Sequence, residues 1–275
     1  MIVDCFNIYN EKEILHLRLD YLYEIVDRFV IVESLDSHSK KIRKEKYFFE
    51  ENIEIYKPYM DKIIYLKIDN LPYSGDTTTD LNGYISSATL KWENENYQKN
   101  YCSNGITDLS PDDWILFSDV DEIPNKECVL ELKKYYDNIN YINFYQKLFY
   151  YHVNVLQNQI WGGTVATQKK NFNSMMDLRN HRNYGMYIFN HGGWHYSYMG
   201  GVDRVYEKMQ SYSEWDANNK YCNIENITKS IDTDTDVLGR NDDMFIKNKV
   251  EIFNDNMCPS NMKKIIELYP KLYKN

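Results

Sequence analysis

The order strand, helix, strand within the first 33 residues constrains this chain more than any other feature. Ile2 to Phe6 is a short apolar run, after which the period becomes helical, with Leu15, Leu19, Leu22 and Val26 at i, i+4, i+7 and i+11 on one stripe. Asn10 stands where an N-cap is needed, Glu13 three residues later would complete a capping box, and Asp27 ends the helix. Arg28 to Glu33 is then β-branched and almost continuously apolar, the pattern of a strand covered on both faces. Two strands joined through a helical crossover pair in parallel.

The chain then repeats the alternation. A third strand, Ile63 to Leu66, follows an irregular Lys- and Tyr-rich segment. Leu71 to Gly83 is polar, with Pro72, Gly75 and three consecutive threonines, and reads as a mobile loop. A helix is expected from about Ser87 to Tyr101, with Leu90, Tyr97 and Tyr101 on one face. The fourth strand, Trp114-Ile115-Leu116-Phe117-Ser118, follows the turn-forming Ser110-Pro111-Asp112-Asp113. This order predicts an α/β fold with a mainly parallel central sheet, whose ligands bind at the carboxyl ends of strands. With 275 residues, 6 prolines, 11 glycines and no repeat or low-complexity stretch, one domain over 1–275 is expected.

Composition narrows the partners. The formal net charge of −9 disfavours nucleic acid, which is bound through a basic surplus. The 5 cysteines form no Cys-x-x-Cys pair, so they read as reduced thiols without a zinc site. The start Met-Ile-Val-Asp-Cys-Phe has no basic leader, and no window approaches the ~18 apolar residues of a membrane span. The expectation is a soluble, cytoplasmic protein with no membrane span. An Asn-, Lys-, Ile- and Tyr-rich composition points to an AT-rich genome, as in a bacterium or large virus.

Directly after the fourth strand the sequence reads Asp119-Val120-Asp121-Glu122-Ile123-Pro124. In an extended segment Asp119 and Asp121 face the same way, and two such carboxylates repel unless a cation lies between them. Mg²⁺ or Mn²⁺ suits these oxygen ligands and completes its shell with phosphate oxygens and water. Pro124 stops the strand and Asn125 caps the next helix. A second constellation, Asn190 to Gly201, holds two histidines and four glycines, His191, His195, Gly192, Gly193, Gly200 and Gly201. The glycines allow close approach of backbone to a ligand. His195 is a candidate metal ligand or a phosphate donor, and equally a satisfied histidine in an aromatic strand. Lys208 and Ser211 are phosphate-contact candidates.

These pieces together resemble glycosyltransferase family 17, whose known activity adds the bisecting N-acetylglucosamine to N-glycans. The matching residues include Asp4-Cys5-Phe6, Asn10-Glu11, Arg18-Leu19, Val30-Ile31-Val32-Glu33-Ser34 and Asp119-x-Asp121-Glu122-Ile123-Pro124. Trp161-Gly162-Gly163-Thr164, His191-x-Gly193-Trp194-His195-x-Ser197 and Lys208-x-x-Ser211 continue the order, and the likeness spans about residues 2 to 215. The resemblance implies a GT-A-like nucleotide-binding fold and an inverting transfer of N-acetylglucosamine from a UDP-sugar to a glycan or glycoconjugate acceptor. By the resemblance Asp119 and Asp121 would hold the divalent metal on the donor diphosphate, and His195 is the further ligand candidate that the residues themselves offer. Glu33 and Ser34 would lie near the uracil, with Asn10, Glu11, Lys208, Ser211 and Trp194 also on the donor. Trp161 and Trp194 offer faces for a sugar, or belong to the core. Within the one domain the donor-binding half is expected over about 1–125, the acceptor side over about 126–230 and a C-terminal tail over about 231–275.

Inversion needs a general base near the acceptor hydroxyl. Glu122 adjoins the metal motif, while Asp177, Glu207, Glu214 and Asp216 lie on the acceptor side, and Glu214 leads because it follows the Lys208 and Ser211 block. Two other readings remain: a metal-dependent phosphohydrolase with Asp119 as nucleophile, and a non-catalytic carbohydrate-binding protein. The tail, with Asp232, Asp234, Asp236, Asp242 and Asp243, reads as a solvated acidic loop.

Overall fold

The computed structural model describes residues 1–73, 87–135, 139–184, 187–213, 219–240, 247–253 and 256–274. Most of the loop expected to be mobile, together with Glu214, Asp216, Asp242 and Asp243, lies outside the described residues.

The first βαβ unit forms as the apolar pattern requires. β1 (Ile2–Ile8) leads through α1 (Lys12–Leu22) to β2 (Arg28–Ser34), and the two strands pair in parallel. Leu15, Leu19, Leu22 and Val26 are fully buried, as are Phe29 to Val32 on β2. The short helices α2 (Phe48–Glu51) and α3 (Ile53–Tyr56) precede β3 (Ile63–Ile68), which pairs in parallel with β2. After α4 (Ser87–Tyr101), β4 (Trp114–Phe117) pairs in parallel with the other side of β1. The parallel block β3-β2-β1-β4 is therefore the one the alternation predicts.

Beyond β4 the sheet becomes mixed. β5 (Glu122–Pro124), α5 (Lys126–Tyr135), β6 (Ile142–Tyr150), β7 (Val155–Gln168), α6 (Met175–Asn180), β8 (Tyr187–Ser197) and α7 (Val202–Ser211) follow in the chain. The strand order is β3-β2-β1-β4-β7-β6-β8-β5, with β9 (Lys247–Lys249) added to β7. β7 runs antiparallel to both β4 and β6, whereas β6 and β8 are parallel. In a flat sheet β5 would lie ~19 Å from β4, four strand spacings away. The five chain steps from Phe117 to Glu122 reach at most ~18 Å. The sheet accordingly curls, and Thr164 Oγ1 on β7 donates to the Glu122 carbonyl on β5 at 3.2 Å.

Apolar clusters fill both faces of the sheet, one around Phe6, Leu19 and Phe144, the other around Val3, Val32 and Phe117. Three local expectations change. On α4 it is Asn94, Gln98 and Lys99 that are buried, whereas Tyr97 is exposed, because this helix borders a polar cleft. The acidic tail is not a free loop: Asp236 is buried against Arg240, and Met262, Ile265 and Leu272 pack into the core beside α1. The Asn10 capping box does not form. Glu11 occupies the N-cap position, and Glu13 pairs with Arg204 instead.

Candidate functional site

The segment between β4 and β5 is a turn rather than the extended stretch expected of Asp119 to Asp121: the Glu122 N–H donates to the Asp119 carbonyl at 3.0 Å. Pro124 ends β5, and Asn125 Oδ1 accepts from the Glu127 N–H at 3.1 Å, so the expected cap forms. The turn is assembled on Arg18, completely buried on α1. Its Nε and Nη2 donate to the two oxygens of Asp4 at 2.8 and 2.6 Å, and Nη2 also reaches Ser118 Oγ at 2.8 Å. Nη1 donates to the carbonyls of Asp119, Val120 and Glu122 at 2.8, 3.2 and 3.2 Å. A planar guanidinium with five donors in a fixed fork can hold this many acceptors at once. One side chain thereby ties the turn to β1.

A second buried arginine, Arg179 on α6, grips the carboxylates. Its Nη1 donates to Glu122 Oε2 at 2.5 Å, and its Nη2 to Glu122 Oε1 at 2.8 Å and to Asp119 Oδ2 at 2.7 Å. Lys99 Nζ lies 3.3 Å from Asp119 Oδ1. Burial alone would raise the Asp119 pKa, but Arg179 and Lys99 outweigh it and hold the carboxyl well below its ordinary range. Glu122 also accepts from Trp161 Nε1 at 2.6 Å and from the Asp119 N–H at 3.0 Å. Fully buried and bonded through both oxygens, it braces the turn and has no access to a substrate proton. That removes it from the catalytic bases.

Asp121 points to the other side of the turn. Lys208 Nζ on α7 donates to its Oδ2 at 2.8 Å, and His195 Nε2 on β8 lies 3.6 Å from its Oδ1. Burial opposes ionisation here too, yet Lys208 and His195 depress the Asp121 pKa strongly. The glycines of β8 serve strand packing. A Cβ on Gly193, at φ +147°, would stand 2.1 Å from the Ile123 carbonyl oxygen, and one on Gly192 would strike the Phe144 backbone. Close approach of β8 to β5 and β6 pairs His195 with Glu122 and so brings its ring beside the Asp121 carboxylate.

These groups border a cleft of about 360 Å³ at the carboxyl ends of β1, β2 and β4. Glu11, Asp119, Asp121, His195, Lys208 and Ser211 line it, so those sequence candidates converge. Trp161 lines it as well. Its wall also carries Asp36, Ser37 and His38 beyond β2, and Trp92, Glu95, Gln98 and Lys99 from α4. Sequence reasoning missed these and Arg179, and it gave Arg18, which stands among the matching residues, no role. The α4 set has a legible signal, since Trp92, Glu95 and Lys99 fall at i, i+3 and i+7 on one helix face.

Other candidates are engaged elsewhere. Glu33 is fully buried: Lys44 Nζ donates to it at 2.5 Å, the N–H groups of Phe48 and Phe49 at 2.6 and 3.0 Å, and the Tyr65 hydroxyl at 2.8 Å. It anchors the start of α2. Ser34 Oγ accepts from the Asp36 N–H at 3.1 Å, and neither Glu33 nor Ser34 lines the cleft. Trp194 is a core residue, edge-on to Tyr21, with Nε1 donating to the Asn256 carbonyl at 3.3 Å. Asn10 Nδ2 donates to Glu207 Oε2 at 2.7 Å, and Asn10 lines a small pocket beside the cleft with Glu11, Asp121 and Lys208, whereas Glu11 also lies at the cleft wall and accepts from the N–H groups of Tyr9 and Asn10. Asp177 sits in the first turn of α6, accepting from the Tyr141 hydroxyl at 3.3 Å, away from the cleft. All five cysteines are free thiols. Among the described residues no helix is long and apolar enough to cross a membrane.

A family model described as Glycosyltransferase family 17 matches residues 1–252. The chain belongs to glycosyltransferase family 17. This family 17 chain is 27% identical over 134 residues to the beta-1,4-mannosyl-glycoprotein 4-beta-N-acetylglucosaminyltransferase of Rattus norvegicus, a match covering 49% of the chain and 23% of that protein. It is 26% identical over 134 residues to the protein of the same name from Homo sapiens, covering 49% and 24%. The match thus spans about a quarter of the length of these mammalian relatives.

Asp121 and His195 are the cleft residues that could share a hard divalent ion. The separation of Asp121 Oδ1 and His195 Nε2 is too long for a good hydrogen bond, and His195 Nδ1, also buried, has no hydrogen-bond partner among the described residues. Among the described residues no three His, Cys, Asp or Glu side chains gather as a closed metal cage. Of the expected trio, Asp121 and His195 lie side by side, whereas Asp119 is turned towards Arg179 and Lys99 and is still 39% exposed. Mg²⁺ and Mn²⁺ commonly take one or two protein ligands and fill the remaining positions with water and phosphate oxygens.

Proposed function

We propose that this chain transfers N-acetylglucosamine from a UDP-sugar to a glycan or glycoconjugate acceptor, with inversion at the anomeric carbon and with Mn²⁺ or Mg²⁺ bound. The observation that carries the reading is the convergence of Asp121, His195 and Lys208 on one cleft at the carboxyl ends of parallel strands, in a family 17 chain. The names of the mammalian relatives supply the sugar and the acceptor class.

Asp121 and His195 would hold the ion, with Asp119 beside them. When bound, the ion supplies positive charge to the donor diphosphate and so stabilises the charge that develops as UDP leaves. Lys208 adds a fixed ammonium to the same wall, and Ser211 lies one helical turn beyond it. Ser37, His38 and Gln98 take the place of Glu33 and Ser34 as contacts for the nucleoside, with His38 Nε2 already 2.6 Å from Gln98 Oε1. Trp161 offers its ring to a sugar, its orientation fixed by the bond to Glu122. The acceptor hydroxyl attacks from the face opposite UDP and gives up its proton to a carboxylate. Glu214 remains the candidate for that role on its place in the sequence after the Lys208 and Ser211 block, and it lies outside the described residues. A phosphohydrolase nucleophile at Asp119 is disfavoured, since both its oxygens face cations.

The test is a thermal-shift titration with UDP-N-acetylglucosamine, with and without Mn²⁺, on the wild type and Asp121→Ala. A ligand that binds only the native state raises its apparent stability. The expected result is a joint stabilisation by nucleotide sugar and metal that Asp121→Ala abolishes. No shift with any UDP-sugar, or an unchanged response in Asp121→Ala, rejects the reading. An α-linked product from the α-linked donor rejects inversion.

A further inference from the structure

Asp121 already has a cation. Lys208 Nζ sits 2.8 Å from its Oδ2, inside the cleft, and lies 5.6 Å from the centre of the Tyr198 ring, whose electron-rich face also favours a cation. Asp121 shows only 7% of its side chain to solvent and Lys208 31%, so the carboxylate end of the pair is the poorly screened one. The neighbouring Asp119 carboxylate has Arg179 and Lys99 of its own. Three fixed cations thus surround two motif aspartates, and a divalent ion arriving alone at Asp121 meets an ammonium on the same carboxylate. A diphosphate changes that balance, because its negative oxygens can accept the ammonium of Lys208 and the ion together.

We propose that Lys208 is the resident counter-ion of Asp121, handed over to the donor diphosphate on binding, so that the metal and the nucleotide diphosphate bind as a coupled pair. This rests on the metal-dependent reading given above and adds an order to it. Metal alone binds weakly, and each ligand strengthens the other by the same factor, as linkage requires. The device keeps the cleft closed to stray divalent ions until a diphosphate is present.

The experiment measures Mn²⁺ binding to the whole chain by the electron paramagnetic resonance signal of the free aquo ion, with and without saturating UDP. It uses the wild type, Lys208→Met and Lys208→Arg, with circular dichroism confirming that each is folded. In the wild type UDP should tighten Mn²⁺ at least tenfold. Lys208→Met should bind Mn²⁺ alone about tenfold more tightly than the wild type and lose most of the tightening by UDP, while Lys208→Arg, which keeps the charge, should behave as the wild type. Equal Mn²⁺ affinities of wild type and Lys208→Met without UDP would overturn the hand-over and leave the metal reading standing. No Mn²⁺ binding to any variant, with or without UDP, would overturn both.

Discussion

Replacing Arg18 by Met should undo the turn that carries both motif aspartates. The substitution leaves Asp4, itself fully buried, without its cation, and takes the donor from the carbonyls of Asp119, Val120 and Glu122. Removing one partner of a buried ion pair costs about 3–5 kcal/mol. The Asp119 carbonyl keeps the Glu122 N–H and the Glu122 carbonyl keeps the Ser118 and Thr164 hydroxyls, so the Val120 carbonyl is the one that adds about 1 kcal/mol. A loss of about 5 kcal/mol is therefore expected, a third or more of the 5–15 kcal/mol by which domains are usually stable. At roughly 2–4 °C per kcal/mol for a chain of this size, the midpoint should fall by about 10–20 °C. Urea unfolding followed by tryptophan fluorescence and far-ultraviolet circular dichroism gives the number. Asp4→Leu combined with Arg18→Met leaves no unpaired charge, so it should be at least about 2 kcal/mol more stable than the sum of the single losses implies. A loss below about 1 kcal/mol for Arg18→Met, or strict additivity in the double variant, would refute the reasoning.

Gly193→Ala should destabilise by about 2–4 kcal/mol, because the added Cβ meets the Ile123 carbonyl oxygen and φ +147° is strained for any L side chain; an unchanged melting midpoint contradicts the β5–β8 contact. Trp194→Ala should cost about 3–5 kcal/mol as a core truncation, whereas Trp161→Phe should remain folded at 25 °C and lower turnover with UDP-N-acetylglucosamine, since Trp161 borders the cleft; steady-state kinetics beside urea unfolding separates the two. Burial, assisted by Lys99, holds the His38 pKa below its ordinary value despite Glu95 nearby. The unfolded chain therefore binds more protons than the folded one as pH falls below ~6.5, and stability drops through the window from there down to the folded pKa. His38→Gln should flatten that slope in urea midpoints taken at several pH values from neutral to mildly acidic, and a slope identical to wild type would exclude the assignment.

The sequence by itself determined the scaffold and the address of the site. The period change after Phe6, the β-branched run Phe29 to Val32 and the buried strand before Asp119 act through local backbone geometry and burial of apolar stripes, so they are legible without coordinates. They place the motif at the carboxyl end of a parallel strand, and the ordered blocks carry the family. What each carboxylate does was decided by tertiary structure alone. Glu33, Asp119, Asp121 and Glu122 are alike as residue types, yet Glu33 anchors α2, Glu122 braces Arg179 and Trp161, and Asp119 and Asp121 face the cleft beside different cations. The cations that separate the three motif carboxylates come from α4, α6 and α7, up to 87 residues away from the carboxylate each one meets. Ion pairs and hydrogen bonds at that separation leave no periodic trace in a sequence. They arise only when the sheet curls and brings β5 against β7 and β8, which is also why Trp194 lies in the core while Trp161 borders the cleft.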